Sequence, residues 1–266
     1  MQDSSLFLDM LEEVANKNNS RIVLALDDVV CFPSDREGVR RIREEAVSRA
    51  CKLIELLSDL ISGVKINRQL VLPLGLYDYV SEIVDFAHGY GLPCIADCKV
   101  GDVGHTNRWI ATHYFNAGFD AITANPFVGW RGGLDSVFDE ARKRERGVIL
   151  LVYMSHAGAL EGFEKVVLDK EGSGQPFYLA FAKKAVEWKA SGIVVGATFP
   201  GKIMEIKEVV KEESIPIFSP GIGAQGGSAR EAVEAGADYL IVGRTIISSS
   251  DPRETVKKLL KECSLI

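Results

Sequence analysis

Eight short apolar runs, rich in β-branched residues, recur along the 266-residue chain, and their spacing limits the fold more than any other feature. They are 21–27 (RIVLALD), 62–67 (SGVKIN), 93–98 (PCIADC), 120–125 (DAITAN), 147–154 (GVILLVYM), 192–197 (GIVVGA), 215–220 (IPIFSP) and 238–243 (DYLIVG). Runs that stay apolar instead of alternating suit strands covered on both faces, the condition of a parallel sheet. Parallel neighbours need a crossover between them, and helical spacing fills each gap. In 38–60, Val39, Ile42, Ala46, Ala50, Leu53, Ile54 and Leu57 fall roughly on one stripe. Similar stretches span 76–90, 106–117, 133–145, 175–190, 202–212, 227–236 and 252–263. Many close on glycine, as at Ala117-Gly118 and Ala235-Gly236, a common helix stop. One more helix is expected near 4–17, ahead of the first strand.

Eight strand-then-helix units with no break in composition predict an α/β fold, a (β/α)8 TIM barrel. The expected organisation is a single domain over residues 1–266 with a short leading helix. A doubly wound open sheet is the rival arrangement. The segment after Ser155 (HAGALEGFEKVVLDKEGSGQP) reads as a long loop.

Composition narrows the partners. A net charge of −6 gives no basic footprint for nucleic acid, although a local pocket can still be positive and take an anion. No apolar run reaches the ~18 residues of a membrane span. The polar start MQDSSLF is not a signal peptide, so the expectation is a cytoplasmic protein with no membrane partner. Cys31, Cys51, Cys94, Cys98 and Cys263 contain no CxxC pair and read as reduced thiols, with Cys94 and Cys98 flanking the third strand. His105 and His113 are eight apart, a poor spacing for paired ligands on one helix turn. Neither a metal site nor a cofactor is expected.

In a barrel of this class, active-site residues sit where strands end and loops begin. Strand one ends at Asp27, strand two carries Lys65 and Asn67, and strand three ends at Asp97 and Lys99. Strand four ends at Asn125 and strand five at Ser155. Strand seven runs into PGIGAQGG (220–227) and strand eight into Gly243-Arg244. Glycine-rich turns after strands seven and eight let backbone N–H groups approach an anion, and a helix N-terminus expected near 226 adds a favourable dipole. Arg244 can supply paired donors to a phosphate, and Gln225 a neutral one.

The remaining charges form an alternating array: Lys65, Asp97, Lys99, Asp102. Asp97 and Lys99 share a face if the strand continues between them. Opposite charges about 4 Å apart attract by roughly 4 kcal/mol at an effective dielectric near 20. Such an array fixes Lys99 as a positioned ammonium, and a positioned ammonium is a proton donor. A purely structural salt-bridge cluster is the plainer explanation of the same residues.

These motifs resemble the orotidine 5'-phosphate decarboxylase family. The resemblance rests on LALD on strand one, VKIN on strand two and DxKxxD at 97–102. MSHAGA (154–159), SPGIGAQGG (219–227) and VGRTI (242–246) extend it over nearly the whole barrel. It implies cofactor-independent conversion of orotidine 5'-phosphate to UMP and carbon dioxide, a step of pyrimidine biosynthesis. It implies that Lys99 protonates C6 as carbon dioxide leaves, with Asp97 near the substrate carboxylate and Lys65 and Asp102 helping to position Lys99. It implies ribose contacts from Asp27, Lys65 and Thr106, pyrimidine contacts from Ser155, and phosphate contacts from Gln225, Arg244 and the backbone of Gly243. The 220–227 loop, beginning at Pro220, would close on substrate. It further implies a homodimer with shared sites, in which Asp102 and Thr106 come from the partner chain.

Phe127 either packs near the base or belongs to the core, and His105 and His156 read as solvated or capping groups. The alternative within the superfamily is a magnesium-dependent decarboxylase or aldolase of keto-sugar phosphates. Those relatives typically carry a glutamate where this chain has Lys65. A phosphate-binding barrel without catalysis would be expected to break the charge array, which is intact here.

Overall fold

The apolar runs become parallel strands that close on themselves in the computed structural model, which describes residues 6–27, 30–31, 35–168 and 172–263. The barrel strands are β1 (Ile22–Leu26), β2 (Gly63–Asn67), β3 (Cys94–Val100), β4 (Ala121–Ala124) and β5 (Gly147–Tyr153). A small antiparallel hairpin, β6 (Val166–Leu168) and β7 (Gly174–Pro176), stands apart from it. Then come β8 (Gly192–Val195), β9 (Ile217–Pro220) and β10 (Tyr239–Val242). The order around the barrel is β1-β2-β3-β4-β5-β8-β9-β10, with Ile22 opposite Leu240 at the closure. The open-sheet alternative is thereby excluded.

Helices α1 (Leu6–Asn18), α2 (Arg36–Leu57), α3 (Arg68–Leu74), α4 (Ser81–Gly89) and α5 (Gly104–Asn116) occupy the first half. In the second half lie α6 (Asp135–Lys143), α7 (Ala159–Gly162), α8 (Phe177–Glu187), α9 (Pro200–Val210), α10 (Ala229–Glu234), α11 (Arg244–Ile247) and α12 (Pro252–Cys263).

Two apolar layers hold the barrel. Strand residues such as Leu24, Val64, Ala96, Ile122 and Val242 point outward and pack with the helices in a large buried cluster. The alternate residues point inward: Val23, Ala25, Ile95, Ala121, Ile149, Leu151, Val194, Phe218, Tyr239 and Ile241 form the lumen. Helix α1 completes that lumen, pushing Phe7 and Leu11, both essentially unexposed, into its N-terminal end. The fit is close enough to dictate sequence. A Cβ on Gly147, the first residue of β5, would lie 2.6 Å from the Phe7 ring.

Several elements depart from the sequence reading. The second crossover starts at Arg68 and runs through Pro73 into a π-turn (Gly75–Val80) before α4, instead of beginning at 76. Pro73 is tolerated because it falls next to this change of helix type, where the regular α ladder is already interrupted. The segment after Ser155 carries α7 and the β6–β7 hairpin, with residues 169–171 outside the described part. Helix α10 begins at Ala229, capped by the Ser228 hydroxyl, slightly beyond the N-terminus expected near 226. Cys94 and Cys98 lie within β3 and are both buried. Among the described residues no helix is long and apolar enough to cross a membrane.

Candidate active site

Lys65 sits in the middle of β2 with its backbone opposite Ala25 on one side and Ile95 on the other. Its inward parity carries the ammonium up the barrel wall, with the side chain 5% exposed. There Nζ lies 2.9 Å from Asp97 Oδ2 and 3.5 Å from Asp27 Oδ1. Burial alone would push this lysine's pKa down. The Asp97 and Asp27 carboxylates outweigh that and hold it above the usual lysine value.

Asp97 receives a second ammonium. Lys99 Nζ lies 2.5 Å from Oδ1, and Thr123 Oγ1 is 3.1 Å from the same oxygen. Burial opposes ionisation of Asp97, but the two lysines prevail and keep its carboxyl well below the usual carboxylate range. The backbone reaches this arrangement through a distortion. The pairing of β3 with β4 shifts between Ala96 and Val100, and Lys99 adopts φ +50°. A non-glycine residue in the left-handed region costs about 1 kcal/mol or more.

Asp27 needs its own accommodation. A Cβ on Gly243, at the end of β10, would lie 2.7 Å from Asp27 Oδ2, so the carboxylate can occupy its place only because residue 243 is glycine. Across the mouth, Ser155 Oγ donates to Gln225 Oε1 at 2.7 Å, linking the end of β5 to the glycine-rich loop. That loop folds on itself through Gly223 N–H to Gly227 O and Gly227 N–H to Gly221 O. Thr245 clasps it, donating to Ile222 O and accepting from Ala224 N–H.

These groups share one cavity of about 180 Å³ at the C-terminal mouth. Its wall carries Asp27, Lys65, Asp97 and Lys99 on one side and Ser155, Pro220, Gln225, Gly243 and Arg244 on the other. Its floor is apolar: Ala25, Leu151, Val194 and Ile241 belong to the barrel lumen itself. One ligand can therefore meet a fixed ammonium, an apolar floor and a cationic rim together.

Of the eleven residues given site roles in the sequence reading, Asp102 and Thr106 do not line this cavity. Asp102 is exposed, and its carboxylate accepts from the Val103 N–H, so within one chain the array is Asp27, Lys65, Asp97 and Lys99. Asn125 caps the turn Pro126–Val128 instead of lining the site. Phe127 is exposed against the Phe177 ring, and His105 and His156 are exposed, all three outside the cavity wall. Sequence reasoning missed Thr123, which lines the cavity and is buried. The available signal was parity. In AITA the inward positions are Ala121 and Thr123, and β3–β4 pairing puts the latter beside Asp97.

Residues 12–259 match the sequence profile described as "Orotidine 5'-phosphate decarboxylase / HUMPS family". A relative from Methanococcoides burtonii named orotidine 5'-phosphate decarboxylase is 39% identical, over 92% of this chain and 98% of its own. The crystal structure of orotidine 5'-monophosphate decarboxylase from Methanocaldococcus jannaschii, complexed with inhibitor BMP, superposes with TM-score 0.72 at 30% identity. That superposition covers 92% of this chain and 98% of the other. UMP synthase of Leishmania donovani gives TM-score 0.83 at 27% identity, covering 98% of this chain, which spans 56% of that longer one.

Proposed function

This chain belongs to the orotidine 5'-phosphate decarboxylase / HUMPS family, and on that premise we propose that it converts orotidine 5'-phosphate to UMP and carbon dioxide without a cofactor. One observation carries the reading. The Lys65–Asp97–Lys99 array and a rim of Gln225, Gly243 and the Arg244 cation face a single cavity. A nucleotide held by its phosphate at the rim extends its base toward Lys99.

The chemistry demands such a group. When the bond between C6 and the carboxylate breaks, carbon dioxide departs and the electron pair stays on a carbon with no adjacent carbonyl to accept it. A preorganised cation is the means by which a protein stabilises that charge. In this reading the Lys99 ammonium is that cation, and it then transfers a proton to C6. Asp97 holds Lys99 from one side and lies toward the departing carboxylate. Lys65 offsets the negative charge of Asp97, and with Asp27 it binds ribose hydroxyls. Ser155 presents its hydroxyl to the pyrimidine edge. Contacts to the remote phosphate help hold the reacting ring in place.

The magnesium-dependent alternative meets a physical obstacle. The position where it calls for a carboxylate holds the Lys65 ammonium, 2.9 Å from Asp97, so a cation already stands there. The test is loss of the substrate's absorbance when the chain is incubated with orotidine 5'-phosphate in EDTA. Turnover that vanishes with chelation and returns with magnesium would overturn the cofactor-free reading.

We also propose a cytoplasmic, single-barrel enzyme acting as a homodimer, with Asp102 and Thr106 completing the partner's site. Both lie on or beside the exposed entry to α5, in company with Val103 and Trp109, two exposed apolar side chains suited to a protein contact. Mixing Asp102→Ala with Lys99→Ala subunits should restore part of the activity that each lacks alone. No recovery in verified mixed dimers would reject the shared site.

A further inference from the structure

We propose that Thr123 is a positioning residue for the decarboxylation, its hydroxyl joining the backbone of Lys99 to the carboxylate of Asp97. The inference rests on the decarboxylase reading and extends it to a residue on a different strand from both groups that it aligns.

Thr123 Oγ1 accepts from the Lys99 N–H at 2.9 Å and donates to Asp97 Oδ1 at 3.1 Å. The direction of the relay is fixed by chemistry. A backbone N–H can only donate, and an ionised carboxylate can only accept, so the hydroxyl must spend its one proton on Asp97. Thr123 is buried at 2% exposure, where a lost partner is not readily replaced by water.

The place of this relay matters. Lys99 is the residue with φ +50°, at the shift in β3–β4 pairing, so its N–H is displaced from the regular ladder. The threonine hydroxyl supplies the acceptor that the ladder no longer provides. By donating to Oδ1, it also fixes the rotation of the same carboxylate oxygen that receives Lys99 Nζ. One side chain thus restrains Lys99 at both ends, through its amide and through the partner of its ammonium. A valine, of nearly the same size, would fill the space but satisfy neither group.

The test compares Thr123→Val, which keeps the shape and removes the hydroxyl, with Thr123→Ser, which keeps the hydroxyl. The readouts are the single-turnover rate of carbon dioxide release from orotidine 5'-phosphate and the Kd for UMP. The valine variant should lose about 10- to 100-fold in the single-turnover rate, the range expected for a hydrogen bond to a charged group. Its Kd for UMP should stay close to that of the unaltered chain, and the serine variant should recover most of the rate. A loss carried mainly by Kd would make Thr123 a substrate ligand and overturn the proposal. Equal impairment of the two variants would assign the effect to packing and overturn it also. Amide hydrogen exchange at Lys99 provides a readout independent of turnover: slow in the unaltered and serine forms, faster in the valine form. If the unaltered chain releases no carbon dioxide, the decarboxylase reading fails. The relay is then judged by that exchange, and equal rates in all three forms would refute it.

Discussion

Asp97 and Asp120 stand at opposite ends of neighbouring strands, each between two basic groups, yet of the two only Asp97 lines the cavity at the barrel mouth. Asp120, just before β4, accepts from His88 Nε2 at 2.8 Å, from the Cys94 N–H at 2.7 Å and from Arg146. Its work is to tie α4 and the starts of β3, β4 and β5 together at the foot of the barrel. Its basic partners reach solvent, with side chains 31% and 27% exposed. Asp97 differs in facing the cavity and in having one of its two basic partners buried. Lys65 beside it is 5% exposed, and Lys99, 29% exposed, points its amine at open space with Asp97 as its hydrogen-bond partner among the described residues. The same carboxylate chemistry serves fastening in one place and presentation in the other. What separates them is whether a cation retains capacity for a visitor.

That contrast predicts where function should break. Lys99→Ala should give the largest effect, a fall in turnover of about a thousandfold or more, since both charge stabilisation and the proton are lost. UMP should still bind that variant, as isothermal titration would show. Near-normal turnover would remove Lys99 from its role.

The two aspartates then divide the consequences. Asp97→Ala should abolish most turnover and also destabilise the fold by about 3 kcal/mol, because Lys65 is left buried beside one remaining carboxylate. Asp120→Ala should leave turnover near that of the unaltered chain and cost about 1–3 kcal/mol in denaturant unfolding, as buried donors lose their acceptor. Equal loss of turnover in both variants would mean that the two aspartates do not differ in function.

Arg244→Ala should raise the apparent KM by about 10- to 100-fold, the scale of a charge-assisted contact, with a smaller change in kcat. Unchanged affinity would reject its contact with phosphate.

The smallest effect is in acid stability. Asp97 has its carboxyl depressed in the folded chain, so the native state binds fewer protons than the unfolded one around pH 4. Its contribution is present above the unfolded value of about 3.9 and is lost as pH falls below it. Denaturant midpoints followed from about pH 6 to pH 3 should fall less steeply in Asp97→Asn than in the unaltered chain.

Much of this could be read from the residues alone, for a physical reason. Strands covered on both faces leave unbroken apolar runs, and all eight runs became barrel strands. The strand-end rule located Asp27, Lys65, Asp97, Lys99, Ser155, Pro220, Gln225, Gly243 and Arg244 on one cavity. Less was legible where the signal was not periodic. Pro73 and Gly75 look like breakers, but local π geometry absorbs both. The β6–β7 hairpin leaves Val166 and Leu168 exposed, so it has no buried face to mark it. Thr123 was hidden because its importance depends on a bulge in the neighbouring strand, and Lys99's φ of +50° is not written in any spacing.

The filled lumen makes the barrel a well. Its strand side chains floor the cavity, and Phe7 and Leu11 of α1 pack into its foot, so it offers no back exit among the described residues. Reactant, nucleotide product and gas must all pass through the same opening, so whatever covers that opening during reaction must lift before either product can leave.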